Sequence, residues 1–306
     1  MTSDQWIALV AAIVGGALRV GAPFLFVSLG ECLTEKSGRI NLGLEGVLVL
    51  SAMAAFGGAY WSGSPWIGVA VGAAAGGLLA LLHGVLCSLD RVNDVATGIA
   101  LMLLGTGLAF YLGKPLIQPQ APQLPAIALG DWSDNAAVRA ALQVNALVPI
   151  GFVLAIAMWW AFAHTRAGLL VRMAGDSANA TRALGYSVNG IRIAATAAGG
   201  AIAGLGGACL TLFYPGSWNE GISSGQGLIA VALVIFARWS PLRCVGAALL
   251  FGGAGAIGPA LQSVGVGWGY HLFNTVPYVL TLVILVFTCK PGAVAAGTPG
   301  ELSSTR

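Results

Sequence analysis

The chain has 306 residues, of which 57% are hydrophobic and only 8% charged, with a mean hydropathy of +0.85 and a formal net charge of +3. Soluble domains carry roughly 25% charged residues, so this composition excludes a soluble enzyme and places the chain in a bilayer. Long apolar runs without alternation exclude spanning strands and leave helices that satisfy their own backbone hydrogen bonds.

Residues 1–6 have no basic start of a cleaved signal, and the apolar run after them is long enough to stay in the membrane. In chain order the candidate spans are 7–29, 42–60, 66–89, 95–112, 145–163, 193–213, 224–237, 244–264 and 271–289. The expectation is an all-α, polytopic transmembrane bundle of about nine spans (eight to ten), forming one domain over 1–306. The first run is interrupted by Gly15, Gly16, Arg19 and Pro23. A central arginine in lipid costs about 3 kcal/mol, so Arg19 either faces the bundle or marks a shorter helix. The 224–237 run is short for a crossing and reads as tilted, broken or re-entrant. On the third run Gly68, Gly72, Gly76, Ala80 and Gly84 recur every four residues, and Gly200 and Gly204 do so on the sixth. Such ridges let helix backbones approach closely, and 45 glycines in all suit a bundle with broken helices.

Orientation follows from the basic residues. With 164–192 on the cytoplasmic side, alternation also places Lys36, Arg39, Arg91, Arg238, Arg243, Lys290 and Arg306 there, and only Lys114 and Arg139 outside. The N-terminus is then external, 113–144 is an external loop, and 290–306 is a short cytoplasmic tail. The net positive charge is a topology signal, not one of nucleic-acid binding.

Catalytic patterns are sparse. No GxxxxGK[ST] occurs, so any ATP used is bound, with its Mg²⁺, by a partner subunit. Asp131 and Asp134 lie in a proline-rich loop without arginines, and Asp90 and Asp94 flank a short turn with Arg91; both read as solvated residues before they read as a Mg²⁺–diphosphate site. His83, His164 and His271 lie in separate segments, and Cys32, Cys87, Cys209, Cys244 and Cys289 are far apart without a CxxC. No catalytic residue, metal or cofactor is expected on the chain itself. Deep inside the runs only Arg19, Glu45 and His83 are candidates for an ion or proton relay, few for an ion- or proton-driven carrier.

Polar residues at the span ends carry two readings. Asn41 suits an N-cap and Glu45 the first turn of the second span; alternatively both line the end of a solute path. Asn93, Asp94 and Thr97 at the fourth span invite the same pair of readings. The segment 214–227, YPGSWNEGISSGQG, is an aromatic interfacial belt or else a gate or docking edge. The polar interval 164–192 carries four arginines. Asp176 or Ser177 caps a helix over 177–184, and Gly185 is its C′ residue. So short a helix is marginal alone and calls for a partner surface, unless the loop only sets topology and touches anionic lipid.

Four stretches carry a resemblance: GECLTEKSGRINLGLEGVLVLSAMAA at 30–55, RVNDVATGIALMLLGTGLAFYLGKP at 91–115, HTRAGLLVRMAGDSANATRALGYSVNGIR at 164–192 and GQGLIAVALVIFARWSPLRCVGAALLFGG at 225–253. The chain resembles the permease subunit of an ABC importer of the branch serving simple sugars, nucleosides and branched-chain amino acids, closest to the shorter permease of nucleoside or simple-sugar systems. The resemblance implies a type II-like importer transmembrane domain in a bacterial cytoplasmic membrane. It also implies three partners: a second permease subunit, an ATP-binding cassette subunit and an extracytoplasmic solute-binding protein. The 164–192 stretch matches the coupling loop, so Arg172, Gly175, Asp176, Ala180 and Gly185 are carried over as coupling positions. Asn41, Glu45, Asn93 and Thr97 match motif positions and are carried over as a candidate translocation path. Thr181, Arg182 and Asp94 depart from residues common at those positions. The rival readings are a branched-chain amino acid ABC permease and an ATP-independent secondary transporter.

Overall fold

The computed structural model describes residues 3–213, 216–263, 275–288 and 297–304. Its long helices are α1 (Ser3–Lys36), α2 (Leu44–Ser62), α3 (Pro65–Leu86) and α4 (Asp94–Gly113). After a short excursion come α6 (Leu147–His164), α9 (Val188–Leu212) and α11 (Pro241–Ser263). These seven are long and apolar enough to cross a membrane. Two further runs form shorter apolar helices, α10 (Gln226–Phe236) and α12 (Val276–Thr288). Among the described residues, then, seven of the nine runs form helices of full spanning length, and the start of the 271–289 run lies outside the described residues.

α2 and α9 are the most enclosed of the long helices. The glycine ridges anticipated on α3 and α9 face each other. A Cβ on Gly200 would strike Ala80 Cβ and lie 2.5 Å from the Gly76 carbonyl, and one on Gly204 would lie 2.5 Å from the Gly72 carbonyl. Backbone thus packs on backbone, the contact that holds helices together where lipid tails remove the hydrophobic drive.

α1 overruns its predicted end at residue 29 and continues to Lys36. Hydropathy falls at Glu31 and Glu35, but both side chains are buried, at 0% and 3% exposure. The first long helix thus carries two buried carboxyls in addition to Arg19. Arg19 points at the 113–144 segment, donating to the carbonyl of Ala140 at 3.4 Å. That segment holds two strands not read from the sequence, β1 (Ala126–Ala128) and β2 (Gln143–Asn145), antiparallel with Ala126 opposite Asn145, and the short helix α5 (Ala136–Ala141) between them. Such three-residue strands bear no alternation of their own; their pairing defines them. Cys32, Cys87, Cys209 and Cys244 are free and buried, while Cys289 lies outside the described residues.

Candidate functional site

α10 has 11 residues, about 16 Å of helix, roughly half the hydrocarbon thickness of a bilayer. A helix that stops inside a bundle leaves its first N–H groups without partners. Here Glu45, in the first turn of α2, supplies them. One carboxylate oxygen accepts from the Ser223 hydroxyl at 2.5 Å and the Gly225 N–H at 3.1 Å, and the other from the Gly227 N–H at 2.7 Å. The negative charge sits where the α10 dipole favours it. At the far end the Trp239 indole donates to the carboxylate of Glu35. Arg238 and Trp239 adopt left-handed φ of 51° and 53°, an abrupt stop to the helix. The half-helix is therefore pinned at both ends by carboxylates from α2 and α1.

Beside the α10 N-terminus lies a cavity of about 500 Å³ lined by Phe24, Ser224, Gln226, Thr275, Pro277 and Tyr278, among others. The Tyr278 hydroxyl donates to the Ser224 carbonyl at 2.6 Å, and the Gln226 side-chain oxygen is buried without a partner. Buried acceptors are nearly always satisfied, so an unmatched amide on a cavity wall suits a ligand bearing hydroxyl or N–H donors.

The other residues read from the span ends have structural partners. Asn41 is buried; its N–H donates to the Glu31 carboxylate at 2.8 Å, and its side-chain oxygen accepts from the Gly43 N–H at 2.9 Å. The residue flanking α2 is Gly43, without a side-chain cap, so Asn41 closes a turn before the helix instead of capping it. Asn93 caps α4, accepting from the Val95 and Ala96 N–H groups at 2.9 and 3.0 Å. Asp94 pairs with Arg39 at 2.7 Å, and Thr97 is half-buried one turn into α4. Of the four path residues only Glu45 reaches the α10 site through hydrogen bonds. Neither Glu35 nor Gln226 was singled out from the sequence.

The 164–192 stretch folds as α7 (Arg166–Asp176), α8 (Ala178–Ala183) and the start of α9. Three hydroxyls cap the three helices in turn. Thr165 accepts from Gly168 N–H at 3.0 Å, Ser177 from Ala180 N–H at 3.2 Å, and Ser187 from Gly190 N–H at 3.2 Å. Ser177, not Asp176, is the cap of α8. Gly185 follows at φ +83°, with Tyr186 N–H bonded to the Thr181 carbonyl at 3.2 Å, which closes a Schellman turn.

α8 is supported within the chain, contrary to the expectation of an unsupported helix. The last short helix, α13 (Gly300–Ser304), presents Glu301, which accepts from the Ala178 N–H at 2.9 Å and pairs with Arg192 at 3.2 Å. Arg192 also donates to the carbonyls of Ser37 at 3.0 Å and Ala174 at 2.9 Å, tying α7 and α9 to the end of α1. The outer side stays open. Asp176, Ala180 and Arg182 are exposed, as are Leu184 at 62% and Tyr186 at 48%. Arg172 is half-buried, with its Nε unpartnered.

Two expected results arise here. Gly175 packs on the carbonyl of Lys36, and an added Cβ there would strike that carbonyl and lie 3.1 Å from the Gly38 N–H nitrogen. Gly175→Ala must lift α7 from α1, lowering stability by about 1–3 kcal/mol, read as a fall in the midpoint of thermal unfolding in detergent. Burial alone raises the Glu301 carboxyl, but the Ala178 N–H and the Arg192 guanidinium outweigh it and hold the group below the ordinary glutamate range. A depressed folded value means that the α13–α8 contact is complete above that range and lost as pH falls through the depressed value. Amide exchange at Ala178, corrected for intrinsic rates, is expected to rise on acidification in wild type and to be fast at every pH in Glu301→Ala.

A bundle of long apolar helices, a pinned half-helix beside a cavity, and a capped helix pair at one end define a polytopic membrane protein of the transport class. The chain belongs to the family of permease components of branched-chain amino acid transport systems, which it matches over residues 13–289. It is 28% identical to the putative glucose ABC transporter permease protein TsgC13 of Haloferax volcanii, over 95% of this chain and 96% of that one. It is 28% identical to the nucleoside ABC transporter permease protein NupC of Lactococcus lactis, over 89% and 90% of the two chains. To the guanosine ABC transporter permease protein NupQ of Bacillus subtilis it is 27% identical, over 90% and 92%. No solved structure matches.

Proposed function

We propose that the chain is the membrane-spanning subunit of an ATP-driven importer and carries a nucleoside or simple sugar by alternating access. The observation that carries this reading is the α10 half-helix, held by Glu45 and bordering a cavity whose largely apolar wall carries the unmatched Gln226 acceptor. Half-helix ends recur at binding sites in transporters, because freed backbone groups are tolerated at membrane depth only against protein or a solute-filled cavity. Hydroxyl-rich solutes suit the Gln226 amide and the Ser224–Tyr278 pair. The names of the relatives, for glucose, nucleosides and guanosine, support the same class.

In this reading α7 and α8 form the coupling element. Arg172, Gly175, Asp176, Ala180 and Gly185 build it, and the exposed Leu184 and Tyr186 meet a separate ATPase subunit that binds ATP and Mg²⁺. A second permease, probed as a different gene product, completes the transmembrane pair, and an external receptor delivers solute. The bundle has a type II-like importer architecture with about nine crossings and a cytoplasmic C-terminus. Nucleotide-driven closure of the ATPases moves α7–α8 as a rigid body, and the Arg192 contacts pass that motion to the ends of α1 and α9.

The test is uptake of labelled guanosine, uridine and glucose by cells lacking the gene, beside affinity purification of tagged chain in mild detergent. Lost nucleoside or sugar uptake, with an ATPase subunit retained by wild type and released by Arg172→Glu with Gly175→Pro, is the expected pair of results. Unchanged uptake, or a partnerless chain that transports without ATP, overturns the reading.

A further inference from the structure

Where α1 ends, α6 gives way to α7, and α10 turns into α11, the chain forms a second, open cavity of about 460 Å³. Lys36 from the end of α1, Arg172 from α7, and Arg238 and Arg243 from the α10–α11 junction line it, and among the described residues no acidic side chain does. Among the described residues the ion pairs engage Arg39 and Arg192 and none of these four. Glu35, next to Lys36, is committed to the Trp239 indole, and the Arg172 Nε is buried with no partner. Four like charges around one space repel each other unless an anion sits between them.

The remaining wall identifies the anion's other half. Trp159 and Phe162 line the same cavity from α6. Val153, Ile156, Trp159 and Trp160 of that helix are all at least 45% exposed, an apolar face suited to lipid tails. The cavity thus joins a cationic floor to an apolar, tryptophan-bearing edge, the arrangement in which basic pockets between transmembrane helices hold lipid headgroups. Its volume is that of an ordinary small-molecule site. We infer that this cavity binds the phosphate headgroup of an anionic phospholipid, with the acyl chains leaving along α6 past Trp159. Free phosphate shares the headgroup chemistry but gains nothing from the apolar edge.

The inference goes beyond the transport reading, and its test needs no transport assay. The full-length chain, purified with any subunits it retains, is titrated with phosphatidylglycerol and, separately, phosphatidylcholine of identical acyl chains, and adducts are counted by native mass spectrometry. Wild type is expected to prefer phosphatidylglycerol. Arg238 and Arg243 are exposed, and at about 1 kcal/mol per cation the double variant Arg238→Gln, Arg243→Gln loses roughly 30-fold in phosphatidylglycerol affinity, with phosphatidylcholine binding unchanged. Either single variant loses about fivefold, and Arg243→Lys keeps most of the affinity, which separates charge loss from misfolding. Millimolar inorganic phosphate leaves the adduct in place. Equal affinity for the two lipids, or variants that bind like wild type, overturns the inference. Displacement by inorganic phosphate reassigns the cavity to a soluble anion, and loss of a co-purifying protein from the double variant without a change in lipid binding reassigns it to that protein; either outcome overturns the lipid site.

Discussion

Glu45→Ala is expected to reduce solute uptake below a tenth of wild type while the chain still reaches the membrane. The carboxylate takes three hydrogen bonds from the segment that starts α10. Hydrogen bonds to a charged group are worth about 1.5–3 kcal/mol each, and removal leaves the Gly225 and Gly227 N–H groups with no replacement inside the bundle. Stability should therefore fall by several kcal/mol locally, and the first turn of α10 should fray into the cavity beside Gln226 and Tyr278. Glu45→Gln is the informative companion. Its amide keeps one acceptor oxygen but turns an NH₂ toward groups that are themselves donors, so activity falls between wild type and alanine. The measurements are uptake in cells and maleimide labelling of Ser224→Cys, which should rise in the order wild type, Gln, Ala. Equal uptake by all three would remove Glu45 from the mechanism and leave the half-helix a packing feature.

How far the sequence foretold this arrangement depends on where the decisive partner lies. The α3 and α9 ridges were legible because a four-residue period writes itself on one helix face, and Gly185 was legible because a helix end and its C′ glycine are neighbours in the chain. The short 224–237 run likewise showed a segment too short for a plain crossing, whether tilted, broken or re-entrant, and α10 has only 11 residues. Glu31 and Glu35 fell outside the first candidate span because a hydropathy run ends at its first carboxylate. What keeps them buried is an N–H ten residues on, from Asn41, and an indole far along the chain, from Trp239. The same holds for α8, whose support comes from Glu301 near the other end of the sequence. Glu45 was singled out, yet as a charge on its own helix or a lining of the solute path. That it caps a different helix follows only from the approach of Gly227 to the α2 backbone.

The second large effect concerns the glycine ridge. Gly200→Leu is expected to leave no monodisperse protein after detergent extraction, whereas Gly107→Leu should behave as wild type. Both are helical glycines, on α9 and α4, and both changes add the same four carbons. At Gly200 the first of those carbons already meets Ala80 and the backbone of Gly76, and backbone cannot rotate away as a side chain can. Overpacking in a well-filled interior costs about 1–3 kcal/mol when neighbours yield. Here α3 and α9 must separate along their length, and lipid offers no hydrophobic penalty to hold them together. At Gly107 nothing lies within 4 Å, the residue is exposed, and replacing a mid-helix glycine even gains up to about 1 kcal/mol of helix propensity. Gel filtration of the two variants side by side is the check. If Gly200→Leu elutes as wild type does, the α3–α9 contact is not what holds the bundle, and α10 and its cavity rest on some other frame. If it fails while Gly107→Leu succeeds, the close backbone contact between those helices is the scaffold on which α2, and through it Glu45, is positioned.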